Sequence, residues 1–261
     1  MLNMVSIIIP CRNEEKFIGK CLESVLAQDY SDKEIIVIDG MSKDRTVEIA
    51  NKYPVWILPN ENIHTPFGLN MGIKQAKGDI IIRMDSHAEY PKDYISKCVK
   101  HLQESGADNV GGNMITLPSG NTKTAKAIAK VMSGLGAGSS FRRGEKEPKE
   151  VDTVWGGCYR KEVFERIGLF NENLKYSQDM EFNLRLKRSG GKIMLFPDIV
   201  SYYFPKGTLW EFIKHNFNDG IWATYPLKFG IKLKFRHYVP LFLCFGFALF
   251  ILWLGFILRF N

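Results

Sequence analysis

The chain has 261 residues, of which 45% are hydrophobic and 24% are charged, and its formal net charge is +7. This composition is that of a globular chain with a sizeable core, and the positive charge suits an anionic membrane or a phosphate-bearing substrate. The chain has no zinc-finger pattern, aromatic RNA-binding motif or long Lys/Arg run, so we expect no nucleic-acid partner. The five cysteines are odd in number and none forms C-x-x-C, which argues against a disulfide framework.

The first third of the chain alternates between buried-strand and one-sided helix patterns. Short apolar runs predict strands at 5–10, 34–39, 55–58 and 79–84. Apolar residues at helical spacing predict helices at 17–26, around 47–50 and at 66–76. This order predicts a parallel sheet with right-handed crossovers. Because neither G-x-G-x-x-G nor G-x-x-x-x-G-K-[ST] occurs, we expect neither a dehydrogenase nor a P-loop NTPase.

The fourth predicted strand ends in Asp85-Ser86-His87. In extended backbone, residues two apart point to the same side of a strand. Because α/β folds place their chemistry at the carboxyl ends of strands, Asp85 and His87 are candidate metal ligands. A histidine that binds no metal and a capping aspartate are the alternatives that the sequence leaves open.

The middle of the chain is less regular. We expect a helix from near Pro91, a strand at 110–115, and a loop at 134–144 that is either a mobile active-site loop or a surface excursion. Beyond it we expect a strand at 151–155, a helix at 161–167, a helix opened by Gln178-Asp179, and strands at 192–196 and 199–204.

The C-terminal part has a different character. Aromatic and apolar residues from Trp210 to Tyr225 predict an amphipathic helix, which lies either at a membrane interface or against the domain. A basic cluster precedes an uncharged apolar run at 239–258, which is long enough to span a bilayer. The positive-inside rule then keeps the N-terminal part in the cytoplasm. A buried core helix is the alternative reading of this run.

Four motifs together resemble family 2 glycosyltransferases of the GT-A fold. In chain order they are Ile9-Pro10-Cys11-Arg12-Asn13-Glu14, Asp39-Gly40-Met41-Ser42-Lys43-Asp44-Arg45-Thr46, Asp85-Ser86-His87 and Gln178-Asp179. Gly40, His87 and Gln178 each stand where the family pattern has an acid. The D-S-H variant and Trp155-Gly156-Gly157 look most like the succinoglycan-type exopolysaccharide transferases.

The resemblance implies an α/β GT-A fold with a Rossmann-like, mostly parallel sheet. The C-terminal patterns described above add an interfacial helix and one transmembrane helix to it. The corresponding segments are a catalytic domain at 1–206, an interfacial amphipathic and basic segment at 207–238, and a transmembrane helix at 239–261. The resemblance also implies a nucleotide-sugar donor and a divalent cation, Mn²⁺ or Mg²⁺.

The resemblance assigns roles to individual residues. Asp179 is the expected catalytic base, and Asp85 and His87 are the expected metal ligands. The donor nucleotide is expected to bind at Pro10, Asn13, Glu14, Asp39 and Asp85, and the acceptor at Trp155, Gly156 and Gly157. Arg83 and Lys77 are further candidates for phosphate contacts, and His215 for closing the site from the C-terminal side.

The sequence therefore predicts a single-pass cell-membrane enzyme whose catalytic domain is cytoplasmic. It would be an inverting glycosyltransferase that transfers a sugar to an acceptor hydroxyl, in cell-surface polysaccharide or lipid-linked oligosaccharide synthesis. Two alternatives stay open. One is a polyprenyl-phosphate glycosyltransferase, and the other is a non-catalytic membrane adaptor that binds nucleotide sugars.

Overall fold

The computed structural model describes residues 4–133 and 139–224. The apolar run at 239–258, the basic cluster before it and residues 134–138 of the expected loop lie outside these ranges. No helix in the described ranges is long and apolar enough to cross a membrane.

The described chain contains strands and helices in alternation. The strands are β1 Val5–Cys11, β2 Lys33–Asp39, β3 Trp56–Pro59, β4 Ile80–Arg83, β5 Ala88–Glu89, β6 Asn109–Thr116, β7 Lys149–Glu150, β8 Cys158–Arg160 and β9 Ile193–Tyr203. The helices are α1 Ile18–Leu26, α2 Thr46–Ala50, α3 Thr65–Gln75, α4 Tyr94–Ser105, α5 Lys123–Ser133, α6 Glu162–Ile167, α7 Gln178–Arg188 and α8 Leu209–Thr224. A 3₁₀ turn spans Ser140–Arg142.

The described strands form one sheet in the order β3-β2-β1-β4-β8-β6-β9-β5, with β7 paired to β9. The pairs β1–β2, β1–β4 and β2–β3 are parallel, as predicted, and so is β6–β9. Strand β8 runs antiparallel to both β4 and β6, and β5 and β7 run antiparallel to β9. The sheet is therefore mixed rather than mostly parallel. The prediction missed this because β5, β7 and β8, which make the antiparallel pairs, are only two or three residues long and were not predicted as strands.

Helices cover both faces of the sheet. Alternate residues of the first strands point to opposite faces, so Ile7, Ile9 and Ile82 pack with α1 and α4 while Ile8 and Ile81 pack with α3, α6 and α7. Burial on both faces explains why these strands are runs of β-branched residues rather than alternating patterns.

Several predicted elements need correction. Residues 151–155 are not a strand but an irregular segment that leads into β8. The prediction was wrong because Val151 and Val154 are buried, as alternating residues of a strand would be. The two strands predicted at 192–196 and 199–204 are one strand, β9, whose register shifts opposite Gly112 and Asn113. Helix α5 was not predicted, and α4 begins at Tyr94 rather than near Pro91.

Helix α8 has two different faces. Asn218 Nδ2 lies 3.5 Å from the Tyr176 hydroxyl, which ties one face to the domain. The other face leaves a stripe exposed, which we call the α8 stripe and define as Leu209, Trp210, Ile213 and Phe217. The predicted amphipathic helix is present, and among its described side chains Asn218 and Trp222 contact Tyr176 of the domain.

Candidate active site

A cleft of about 910 Å³ opens at the carboxyl ends of β1, β2 and β4. Its lining carries four basic side chains, Arg12, Arg83, Arg142 and Lys175, and three acidic ones, Glu14, Asp85 and Asp179. The basic side chains suit an anionic ligand at this edge of the sheet, and the acidic ones lie beside it.

The structure brings six of the sequence-predicted site residues to this cleft. They are Pro10, Glu14, Asp85, His87, Trp155 and Asp179. Asn13, Asp39, Gly156 and Gly157 do not line it. The first three are each next in sequence to a residue that does, and Gly157 is hydrogen-bonded to the backbone of Arg83, which does. Of the further candidates, Arg83 and His215 line the cleft and Lys77 does not.

Asp39 and Asn13 tie together the two turns beside the cleft. The buried carboxylate of Asp39 accepts hydrogen bonds from the Ser42 N–H at 3.0 and 3.3 Å. The Asn13 N–H donates to Ser42 Oγ at 2.8 Å, and Asn13 Oδ1 accepts from the Lys43 N–H at 2.8 Å. Asn13 adopts a φ of +54°, a conformation that asparagine tolerates better than most residues. These contacts hold the turn after β1 against the turn after β2.

Arg83 and Asp85 form an ion pair at the end of β4. Arg83 Nε and Nη2 both donate to Asp85 Oδ1, at 3.2 and 3.0 Å. The two side chains are only 14% and 11% exposed, so the pair is largely removed from water. Burial alone would lower the pKa of Arg83, but the carboxylates of Asp85 and Asp179 raise that pKa above its usual range. The guanidinium therefore stays charged.

Asp179 lies in the first turn of α7 and lines the same cleft as Asp85. Its Oδ1 accepts a hydrogen bond from the Met180 N–H at 2.9 Å, and its Oδ2 lies 3.9 Å from Arg83 Nη1. The side chain is 39% exposed, so it remains accessible from the cleft. Helix α7 is docked by Phe182, which is fully buried and packs edge-to-face on Tyr159.

His87 is half-buried beside Glu14. Its Nδ1 lies 3.5 Å from Glu14 Oε1 but makes no hydrogen bond. The carboxylates of Glu14 and Asp85 would raise the pKa of His87, but removal of the ring from water lowers it by more. The lowered pKa keeps the imidazole neutral. The negative charge of Glu14 is paired with Lys206 rather than with His87, and Lys206 Nζ lies 3.2 Å from Glu14 Oε1.

The atoms suited to a metal ion in the cleft are few. Both hydrogen bonds that Arg83 donates to Asp85 end on Oδ1. In the described part of the chain, no hydrogen bond ends on Asp85 Oδ2, so this oxygen is available to a cation. The neutral His87 Nδ1 is the other unpaired candidate ligand. The described residues contain no group of three or more His, Cys, Asp or Glu side chains that could hold a cation alone. A cation here would need oxygen ligands from a bound substrate or from water.

Trp155 belongs to an aromatic row, whereas the two glycines after it form a turn. Trp155 stacks on Tyr90 at 6.3 Å and meets Tyr203 edge-on at 5.7 Å. Gly156 and Gly157 have φ values of +70° and +97°. The Gly157 carbonyl accepts a hydrogen bond from the Arg83 N–H at 3.1 Å. The glycines therefore support the end of β4, while Trp155 faces the cleft.

Other residues of the cleft were missed by the sequence reasoning. Asn60 follows β3, lines the cleft and has a buried Oδ1 without a hydrogen-bond partner among the described residues. Applying the strand-end rule to β3 would have found it. Arg142 also lines the cleft, and it belongs to the loop at 134–144 that the sequence offered as a possible active-site loop. Tyr203 lines the cleft and Lys206 reaches Glu14 through long-range packing, and no local sequence signal marks these two.

Comparison with known proteins agrees with this geometry. Residues 6–168 match the model of the glycosyl transferase family 2. A Methanococcus voltae protein named dolichyl N-acetyl-alpha-D-glucosaminyl phosphate 3-beta-D-2,3-diacetamido-2,3-dideoxy-beta-D-glucuronosyltransferase is 33% identical over 84% of this chain and 72% of its own length. The succinoglycan biosynthesis protein ExoA of Rhizobium meliloti is 28% identical over 87% of this chain and 77% of its own length.

Solved structures share the fold. The mannosyltransferase PcManGT from Pyrobaculum calidifontis, in complex with GDP-Man and Mn²⁺, has a TM-score of 0.65 at 19% identity, covering 92% of this chain and 68% of that one. S. aureus TarS 1-349 in complex with UDP-GlcNAc has a TM-score of 0.63 at 20% identity, covering 90% and 69%.

The family match covers more than half of the chain, so the chain belongs to glycosyltransferase family 2 and is a glycosyltransferase. The resemblance to family 2 glycosyltransferases that the four motifs indicated is confirmed. The predicted similarity to succinoglycan-type transferases is confirmed by the match to ExoA.

The turn that supports Arg83 gives a testable prediction. A Cβ at Gly157 would lie 2.5 Å from the ring of the buried Tyr159, whereas a Cβ at Gly106, which also has positive φ, would meet nothing within 4 Å. Gly106→Ala should therefore cost about 1–2 kcal/mol of unfolding free energy from backbone conformation alone. Gly157→Ala should cost about 1–3 kcal/mol more through overpacking. Denaturant unfolding measures both, and equal losses would show that the turn adapts freely.

Proposed function

We propose that this family 2 glycosyltransferase transfers a sugar from a nucleotide-diphosphate donor to an acceptor hydroxyl, with inversion at the anomeric carbon. The product would be a cell-surface polysaccharide or a lipid-linked oligosaccharide. The observation that carries the proposal is the convergence of Asp85 and Asp179 on Arg83 in one cleft. In this proposal Asp85 serves the donor and Asp179 serves as the base, and both lie beside the reacting centre.

The donor nucleotide would bind on the β1–β2 side of the cleft. Pro10 and Glu14 line this side, and Asn13 and Asp39 shape the turns behind it. The Asp39 carboxylate accepts bonds from the Ser42 N–H and has lone pairs left for the N–H of a base. PcManGT with GDP-Man and TarS with UDP-GlcNAc show this fold holding such donors.

A divalent cation fits the donor side. Asp85 Oδ2 and His87 Nδ1 are its protein ligands in this proposal, and the donor's phosphate oxygens would complete the set. A bound cation would neutralise negative charge on the departing diphosphate. PcManGT was solved with Mn²⁺, which favours this assignment.

Asp179 would act as the general base. Its carboxylate takes the proton from the acceptor hydroxyl as that oxygen forms a bond to the anomeric carbon. The bond from the anomeric carbon to the diphosphate oxygen breaks on the opposite face, and the nucleoside diphosphate leaves. A single displacement of this kind inverts the configuration. Trp155 provides an aromatic surface for the acceptor sugar, next to the Gly156-Gly157 turn.

The enzyme would be attached to the cell membrane, with its catalytic domain in the cytoplasm. The α8 stripe exposes a tryptophan and a phenylalanine of the kind found at membrane interfaces. The basic cluster and the apolar run at 239–258 follow it in the sequence. The name of the Methanococcus voltae relative specifies a dolichyl sugar phosphate, which supports a lipid-linked saccharide as acceptor.

Replacing the base tests the mechanism. Asp179→Asn removes the proton acceptor with little change in shape, so kcat should fall about 10²–10⁴-fold, while the dissociation constant of the donor stays nearly unchanged. Glu162→Gln is the matched control, because Glu162 is also a first-turn acid but lies on α6, away from the cleft. Initial-rate kinetics and donor titration measure the two effects.

The same assay separates the alternatives. Near-normal turnover in Asp179→Asn would favour a polyprenyl-phosphate acceptor, whose oxygen is already ionised and needs little base catalysis. Wild-type protein that binds a donor but neither transfers sugar nor releases nucleotide would identify a non-catalytic adaptor.

The donor and the cation are tested together by thermal unfolding. UDP-, GDP- and TDP-sugars are compared with and without Mn²⁺. The correct donor should raise the unfolding temperature, because a ligand at 100 times its Kd adds about 2.7 kcal/mol of stability. We expect most of this shift to disappear with a chelator and in Asp85→Ala. A donor-induced shift that is the same with and without chelator would reject the proposed cation.

The membrane position of α8 is tested by fluorescence quenching in vesicles of lipid brominated at a shallow acyl position. Trp210→Phe should remove a quenched component of the tryptophan emission, because the α8 stripe would lie at that depth. Trp56→Phe is the control, since Trp56 is exposed on β3 at the far edge of the sheet. The emission of each tryptophan is the difference between wild type and its Phe variant. If the lipid quenches the emission of Trp210 and of Trp56 equally, an interfacial α8 is contradicted.

A further inference from the structure

We propose that Arg83 is the positioning residue of the transfer reaction, holding the donor-side acid Asp85 and the base Asp179 in one arrangement. This inference rests on the function proposed above and adds to it the group that fixes the spacing of the two acids. Neither the family match nor the strand-end pattern assigns Arg83 this role.

The guanidinium uses different edges for the two carboxylates. Nε and Nη2 share one edge, and both donate to Asp85 Oδ1. Nη1 lies on the other edge, 3.9 Å from Asp179 Oδ2. In the described ranges, Arg83 is the only basic residue within 4 Å of either carboxylate.

This arrangement leaves the reacting atoms available. Because both bonds to Asp85 end on Oδ1, Oδ2 remains for a ligand in the cleft. A separation of 3.9 Å is too long for a hydrogen bond, so Asp179 Oδ2 keeps its lone pairs for the acceptor hydroxyl. The attraction across 3.9 Å still orients the carboxylate, whose other oxygen is fixed by the Met180 N–H.

Arg83 is itself held firmly. Its N–H donates to the Gly157 carbonyl, and a Cβ at Gly156 would lie 2.8 Å from the Arg83 carbonyl oxygen. The Gly156-Gly157 turn therefore packs directly on the backbone of Arg83. Its side chain is 14% exposed, so few other directions are open to the guanidinium. A rigid cation between two acids sets their separation.

Lysine would not reproduce this arrangement. Its ammonium group is a single point charge on a flexible stem, whereas arginine presents a planar fork with donors on two edges. Arg83→Lys keeps the positive charge that pairs with Asp85, but it loses the second contact. We therefore expect folding and donor binding to survive and the alignment of Asp179 to be lost.

The test compares wild type, Arg83→Lys and Arg83→Met in the full chain. Arg166→Met is the control, because Arg166 pairs with Asp108 on the surface and does not line the cleft. Arg83→Lys should bind UDP or GDP within about threefold of wild type and lose about 10–100-fold in kcat, as expected for a misplaced catalytic group. Arg83→Met should lose more, and Arg166→Met should resemble wild type.

A double-mutant cycle separates positioning from a general structural role. In the Asp179→Asn background the base is already absent, so Arg83→Lys should lower kcat by less than twofold. Full additivity of the two losses, or a kcat for Arg83→Lys within twofold of wild type, would overturn the inference. If Arg83→Met fails to fold, Arg83→Lys and the cycle still decide it.

The inference and the proposed function fail in different ways. Wild-type protein that transfers no sugar overturns the proposed function, and the role of Arg83 with it. An active wild type that loses transfer in Asp179→Asn but not in Arg83→Lys keeps the function and overturns only the role of Arg83.

Discussion

The buried ion pair between Arg83 and Asp85 is the interaction on which the rest of the cleft depends. Removing a guanidinium and a carboxylate from water costs several kcal/mol for each ion, so the pair persists only where its geometry is good. Both bonds from Arg83 to Asp85 are 3.2 Å or shorter, and the side chains are nearly enclosed. A second carboxylate, Asp179, approaches the same cation. Arg83 therefore stands between two carboxylates at this point of the cleft and limits the repulsion between them.

The fold supplies the supports that this pair requires. Strand β4 is buried between β1 and β8, so the backbone of Arg83 is fixed on both sides. The Gly156-Gly157 turn packs against it from the adjoining segment. Helix α7 brings Asp179 from a distant part of the chain, and the buried ring of Phe182 holds that helix on Tyr159 in the neighbouring strand. Three separate parts of the sequence thus meet at Arg83, the turn at its backbone and α7 at its guanidinium.

The sequence was informative where the determinants were local. The β-branched runs located β1, β2 and β4, because burial on both faces is visible in the residues themselves, and the strand-end rule found Asp85. Strand β8 was not predicted at all, because three residues carry too little pattern to mark a strand, and its antiparallel pairing with β4 was therefore not expected either. Val151 and Val154 resembled a strand because they are buried, although their backbone is irregular. Lys206 reaches Glu14 across 192 residues of chain, and no local pattern reports such a contact.

Helix α8 connects the cleft to a surface that the domain leaves uncovered. His215 lines the cleft from one face of this helix, while Trp210, Ile213 and Phe217 lie exposed on the other. Exposed aromatic residues next to a binding cleft are unfavourable in water unless something else covers them. If α8 rests on a bilayer, as we propose, the same helix that closes the cleft sets its distance from the membrane. An acceptor carried on a lipid would then meet Asp179 without leaving the bilayer, which links the position of the proposed base to the choice of acceptor.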